Sequence, residues 1–203
     1  MTTASPRLLM ILSATVGAFF LWSAIGPYDR FTWWLEVAPV LIALPILILT
    51  WRNFPLTRLV YILIAIHMII LIIGGHYSYA RMPVFDWLRD AFQLSRNHYD
   101  KVGHFAQGFM PVVVTREILL RTTPLRRGKM LAFLAISVCL SLSAVYELVE
   151  WAAAFLTGEA ANDFLGTQGD PWDTQKDMAT CLLGSIAGLI LFSQLHDRDL
   201  GQR

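Results

Sequence analysis

Long uninterrupted apolar runs, separated by short polar segments, set the pattern of this chain. Residues 8–26, 59–75 and 178–195 contain no Asp, Glu, Lys or Arg, and each is about long enough to cross a hydrocarbon core of ~30 Å as a helix. Residues 33–51 form a fourth such run, with Glu36 near its start and prolines at 39 and 45; neighbouring helices can re-satisfy the carbonyls those prolines free. Residues 130–155 are apolar except for Glu147 and Glu150, and residues 104–120 make a weaker run, interrupted by Pro111 and ending near Arg116 and Glu117. The pattern predicts an all-α, polytopic membrane helix bundle of about six transmembrane helices in one domain. Before the fourth span, Pro83 can open a helix that sets Phe85, Leu88 and Phe92 on one face, with Asp86, Arg89, Asp90 and Gln93 largely elsewhere. That spacing predicts a short helix lying on the membrane surface.

Composition agrees. The chain has 203 residues, of which 56% are hydrophobic and 15% charged, against roughly a quarter charged in soluble domains. Disorder and a single soluble core are both excluded. The formal net charge of +1 gives no field for nucleic acid. Cys139 and Cys181 both sit inside apolar runs, so neither a disulfide framework nor a thiolate metal cluster is indicated. The first run exceeds the ~7–15 residues of a signal-peptide core and is read as an anchor.

Charge placement sets an expected orientation. With six spans, the two ends of the chain and the loops around residues 52–58 and 116–129 share one side, which collects Arg7, Arg52, Arg58, Arg116, Arg121, Arg126, Arg127, Lys129, Arg198 and Arg203, 10 of the 16 Lys and Arg. Basic loops stay cytoplasmic, so both termini are expected in the cytoplasm. Arg116 and Glu117 read as a helix end snorkelling to that interface, and the basic run that follows reads as contact with anionic lipid. Trp22, Trp33, Trp34, Trp51 and Trp151 fall near span ends, as an aromatic belt requires.

Ionisable residues within spans are costly, about 2.5–3.5 kcal/mol each at mid-bilayer on insertion scales, and here they share one end. Asp100, His104 and Gln107 lie on one face of a helix begun at Asp100. Glu147 and Glu150 are three apart near the outer end of the fifth span. The loop from Asp163 through Gln168 and Asp170 leads into a sixth helix that carries Asp173 and Asp177 on one face, continued by Cys181, Gly184 and Gly188. Gly184 and Gly188 form a small-xxx-small pattern that admits another helix closely. Several carboxylates with one imidazole is the composition of a divalent-cation site for zinc, manganese, magnesium or calcium. The expected ligands are His104, Glu147, Asp173 and Asp177, with Glu150 as catalytic base and Asp100, Gln107 and Asp170 as further polar neighbours. The plainer alternative is that these acids cap helices or are neutralised by Lys101, Lys176 and the arginines. His67, alone at the middle of the third span, is expected to hydrogen-bond a carbonyl of another helix.

The strings Arg96-Asn97-His98-Tyr99-Asp100-Lys101-Val102-Gly103-His104-Phe105, Tyr146-Glu147-Leu148-Val149-Glu150-Trp151 and Gln168-Gly169-Asp170-Pro171-Trp172-Asp173-Thr174-Gln175-Lys176-Asp177-Met178 resemble the DUF2238 (YjdF-like) bacterial inner-membrane proteins. The resemblance implies a polytopic inner-membrane protein and brings no reaction, ligand or partner with it. More distantly, Asp100, Lys101, His104, Phe105, Glu147, Asp177 and Gly184 follow the order of a pattern similar to that of VanZ-like membrane proteins. The chain departs from that pattern at Glu150, where Gln is expected, and at Cys181, where Asn is expected.

Three functions fit these residues. One is a metal-assisted hydrolase or transferase acting on a lipid-linked or envelope substrate. Another is a small transporter or ion pathway, for which ionisable groups must continue through the membrane. The third is a non-catalytic membrane protein whose polar cluster locks helices together.

Overall fold

The computed structural model describes residues 1–158 and 167–201. Its helices are α1 (Pro6–Ala24), α2 (Arg30–Thr50), α3 (Arg58–Tyr77), α4 (Pro83–Phe92), α5 (Tyr99–Phe109), α6 (Pro111–Thr122), α7 (Lys129–Thr157) and α8 (Asp173–Asp199). Among the described residues there is no strand beyond an isolated bridge between Thr3 and Thr57. The chain is an all-α polytopic membrane bundle. Helices α1, α2, α3, α7 and α8 are each long and apolar enough to cross a membrane.

The weakest predicted span, 104–120, falls on two helices rather than one. Met110 ends α5 and precedes α6, whose first residue is Pro111. Proline has no N–H to return to the Gln107 carbonyl, so the hydrogen-bond ladder stops there. The pair still runs from one end of the bundle to the other, because α5 starts beside the N-terminus of α8 and Glu117 of α6 reaches His196 near the C-terminus of α8.

What seats α5 against α8 is the absence of side chains. A Cβ on Gly108 would lie 1.9 Å from the carbonyl oxygen of Cys181; on Gly184 it would lie 2.2 Å from that of Phe105, and on Gly188 2.3 Å from that of Phe109. The two backbones touch, as small-xxx-small packing permits. Below this contact Val112, Val113, Cys139 and Cys181 join Val60 and Leu63 of α3 in an apolar core. Helices α1 and α2 pack on α3 through Val16, Val40, Ala65, Met68 and Ile72 and turn their remaining apolar surface outward, where a soluble protein would be polar.

Both chain ends lie at one end of the bundle. The Thr2 N–H donates to the Asp199 carbonyl at 2.5 Å, and the Arg58 N–H donates to Thr2. Here Arg116 and Glu117 correct the expectation of a snorkelling helix end: both are buried, Glu117 completely. Glu117 accepts from the Thr57 N–H at 3.0 Å, the Thr57 hydroxyl at 2.6 Å and Arg121 at 2.8 Å. Arg116 donates to His196 Nδ1 at 2.7 Å and to Asp197 at 2.6 Å. Since Nδ1 accepts, Nε2 is the ring nitrogen that donates to Glu117, at 3.0 Å. Arg121, assigned above to the lipid-facing basic run, is thus held inside this network. His67 also departs from expectation: its Nε2 is buried with no hydrogen-bond partner.

At the opposite end α4 forms over the residues predicted for a surface helix. Phe85 packs on Tyr99 with ring centroids 5.4 Å apart, while Phe92 is 68% exposed.

Two stability predictions follow from this packing. Gly108→Ala and Gly184→Ala each lower the thermal unfolding temperature in detergent, with a cost of about 1–3 kcal/mol or more from overpacking; Gly17→Ala, inside α1 where nothing lies within 4 Å, does not lower it and raises it slightly through helix propensity. Glu117→Ala strands His196, Thr57 and Arg121 and costs about 3–5 kcal/mol, read by the same melt.

Candidate functional site

The end away from the termini collects ionisable groups from four segments. Asp100 and His104 sit one turn apart on α5, and both are buried. Asp173 and Asp177 occupy the first two turns of α8, where carboxylates are favoured by the helix dipole. Glu147 and Glu150, one turn apart on α7, complete the ring, and Arg96 enters from the loop before α5.

These groups divide into two sets. The first is a charge-paired set. Arg96, with its side chain 4% exposed, donates to Asp173 and to Asp100 Oδ2, the latter at 3.3 Å. The Lys101 ammonium donates to Asp173 at 2.7 Å and to Asp177 at 2.5 Å. The second set centres on His104. Its Nε2 lies 3.4 Å from Asp100 Oδ1, 3.5 Å from Glu147 Oε1 and 3.9 Å from Asp177 Oδ1. Its Nδ1 is 3.1 Å from the Gln107 side-chain oxygen, so Nδ1 carries a proton and donates it. Nε2 therefore faces three carboxylate oxygens. Ligand atoms of Asp100, His104 and Asp177 all lie within 4.8 Å of one another. Glu147 Oε1 is buried and has no hydrogen-bond partner.

Behind His104 a cavity of about 60 Å³ opens into the bundle, roughly enough for a few water molecules. Glu150 lines it together with Glu36, His67, Tyr79 and Tyr146. The Tyr146 hydroxyl donates to Glu36 Oε2 at 3.1 Å.

The rim is held by loop contacts. The Gln168 side chain accepts from the Asn97 N–H and donates to the Asn97 carbonyl, both at 2.9 Å, and Asn97 in turn donates to Asp86 of α4 at 3.0 Å. Asp170 stands farther out, bonded to Lys176 at 2.6 Å and to the Trp172 N–H at 3.1 Å; those two donors hold its carboxyl below the usual carboxylate range.

Of the residues singled out from sequence, His104, Asp100, Gln107, Glu147, Glu150, Asp173 and Asp177 come together here. Asp173 sits with two cations rather than facing His104, and Asp170 lies at the rim. Asp163 falls outside the described residues. Three participants were missed. Glu36 and Arg96 are both buried; a carboxylate inside the second span was itself a signal. Arg96 and Tyr79 lie before α5, and no helical spacing links them to α8.

Comparison with known proteins agrees with this architecture. Inner membrane protein YjdF of Escherichia coli (strain K12) is 47% identical over 198 residues, covering 98% of this chain and 95% of the relative. No solved structure matches. The VanZ-like similarity has no counterpart in these matches. The family model described as predicted membrane protein DUF2238 matches residues 8–198, so the chain belongs to the DUF2238 family of membrane proteins, and its near full-length likeness to YjdF supports an inner-membrane location.

Proposed function

We propose that the cluster around His104 binds a divalent cation and that the protein uses it for hydrolysis or group transfer on a lipid-linked or envelope substrate. One observation carries this reading: His104 Nε2 faces three carboxylate oxygens at 3.4, 3.5 and 3.9 Å. Those separations are long for hydrogen bonds. For His104, Asp100 and Asp177, whose ligand atoms all lie within 4.8 Å of one another, they suit ligands that share one ion, since tetrahedral donors at 2.0–2.2 Å from zinc stand roughly 3.4 Å apart; Glu147 lies outside that group and would have to close on the ion. Three anionic oxygens around Nε2 require a positive charge there, either a proton on Nε2 or a metal ion bound to it, and the spacing favours the ion. The Gln107 bond to Nδ1 is the support that metal-bound histidines ordinarily receive, and the unpartnered Glu147 Oε1 is a fourth donor in waiting.

His104, Asp100, Asp177 and Glu147 are thus the proposed ligands. Asp173 serves instead as the acceptor that holds Arg96 and Lys101. Bound there, a cation would supply Lewis-acid activation of water. Glu150 lines the cavity beside His104 and Asp100, which suits it to hold the proton released.

Both termini lie at the opposite end, which we assign to the cytoplasm from the basic residues around 116–129. The cluster then faces the outer leaflet. Trp34, Trp87, Trp151 and Trp172 are exposed at this level, as at a headgroup interface, and lipids or lipid-linked molecules are the partners this position favours. A pathway through the membrane has one supporting observation, His67 lining the cavity halfway along α3. Beyond it, among the described residues, the interior is closed by Val60, Val112, Val113, Cys139 and Cys181, which favours a site over a channel.

Protein purified without chelator is expected to carry about one equivalent of zinc or manganese by elemental analysis, falling to background in His104→Ala and Glu147→Gln. Glu150→Gln keeps the metal; its loss there would make Glu150 a ligand rather than a base. For orientation, a C-terminal green fluorescent protein fusion is expected to fluoresce and a C-terminal alkaline phosphatase fusion to be inactive. The reverse pattern would turn the site toward the cytoplasm.

A further inference from the structure

Lys101 lies in the first turn of α5, three residues before His104, and reaches across to α8. Its Nζ is 2.5 Å from Asp177 Oδ1. That same oxygen is the atom 3.9 Å from His104 Nε2. One carboxylate oxygen therefore belongs to two cation positions, the ammonium and the centre framed by imidazole and carboxylates. An ion bound to Asp177 Oδ1 at a usual metal–oxygen length would stand no more than about 4.6 Å from the ammonium, close enough for strong mutual repulsion in a poorly hydrated site.

The remaining oxygens are divided between these positions. Asp100 turns Oδ1 toward His104 at 3.4 Å and Oδ2 toward Arg96 at 3.3 Å and Lys101 at 3.4 Å. Asp173 Oδ1 accepts from both Arg96 and Lys101. Arg96 can thus remain as the counter-ion of Asp100 and Asp173 whatever happens at His104. It is enclosed, with its guanidinium fixed by partners on α5 and α8. Lys101 differs: its side chain is 19% exposed and its ammonium sits on a flexible four-carbon stem that can snorkel to the interface.

Resting on the reading of this cluster as a divalent-cation site, we propose that Lys101 is a tethered competitor for it: ammonium and metal ion take Asp177 in turn. Without metal, Lys101 neutralises Asp177 and holds the start of α5 against α8. Metal loading sends the ammonium outward, leaves Arg96 in place, and exposes a free amine at the outer rim. Asp177 therefore keeps a cationic partner in both conditions, as a buried carboxylate requires.

The test uses the full-length protein in detergent with zinc as the probe. Zinc affinity is measured by chelator competition for wild type, Lys101→Met and His104→Ala. In parallel, acetylation of Lys101 in wild type by a water-soluble acylating reagent is followed by mass spectrometry with and without zinc, with Lys129 and Lys176 as internal references. Removing the competing charge-assisted bond is expected to tighten zinc binding by about tenfold or more in Lys101→Met. Zinc is also expected to raise acetylation of Lys101 alone in wild type. If zinc binds in a His104-dependent manner, yet Lys101→Met matches wild type and Lys101 acetylation does not change, the competition is refuted and the cation site stands. If zinc binds neither wild type nor Lys101→Met, the cation-site reading falls and the competition with it. Should Lys101→Met fail to fold, the acetylation of wild type decides alone.

Discussion

Backbone contact between α5 and α8 is the constraint on which the rest of this molecule depends. Gly108, Gly184 and Gly188 let carbonyl oxygens of one helix rest where the Cβ atoms of the other would be. No apolar side chain could supply that proximity, because in lipid there is little hydrophobic force to draw helices together and close packing must act in its place. Two consequences follow. The α5–α6 pair, broken at Pro111 and too short in either half to be a stable span, is held by its neighbour rather than by its own length. And the N-terminal turns of α5 and α8 are brought close enough for Lys101 to bridge them at 2.5 and 2.7 Å.

Charge is handled in two distinct ways at the two ends of the bundle. Near the termini, Glu117 receives donors from Thr57 just before α3, from Arg121 of α6 and from His196 of α8, and each polar atom described there has a matching partner. Such a saturated network ties helices together and leaves nothing for a ligand. At the other end the account is incomplete. Arg96 and Lys101 pair with Asp100, Asp173 and Asp177, two positive charges against three carboxylates, and Glu147 Oε1 and the Nε2 face of His104 stand 3.5 Å apart, long for a hydrogen bond. A buried polar atom without a partner is costly, and one that faces an imidazole ringed by carboxylates is a reason to look for a bound cation.

Much of this was legible in the residues themselves. Apolar run length gave the five long apolar helices, the spacing of Asp100, His104 and Gln107 and of Asp173 and Asp177 gave the faces, and the glycine repeat indicated close approach. The errors share one cause. Arg116 and Glu117 read as an interfacial helix end because, one helix at a time, a charged pair at the end of an apolar run is ordinarily solvated. Their partners Thr57 and His196 are 60 and 79 residues away from Glu117, and no local pattern connects them. Glu36 was likewise read as the edge of a span, since its partner Tyr146 belongs to another helix 110 residues on.

What the sequence determined by itself is the class of the molecule, its long apolar helices and the helical faces that carry its ionisable groups. These depend on residue periodicity and on the cost of exposing polar backbone to lipid, both of which act within a single segment. Only the tertiary structure decided which of the charges are satisfied. Pairing is a matter of a few tenths of an ångström between side chains of different helices, so Arg96 became a counter-ion, Asp173 its acceptor and His104 the centre of a ring of carboxylates only once the glycine contact had placed α5 against α8.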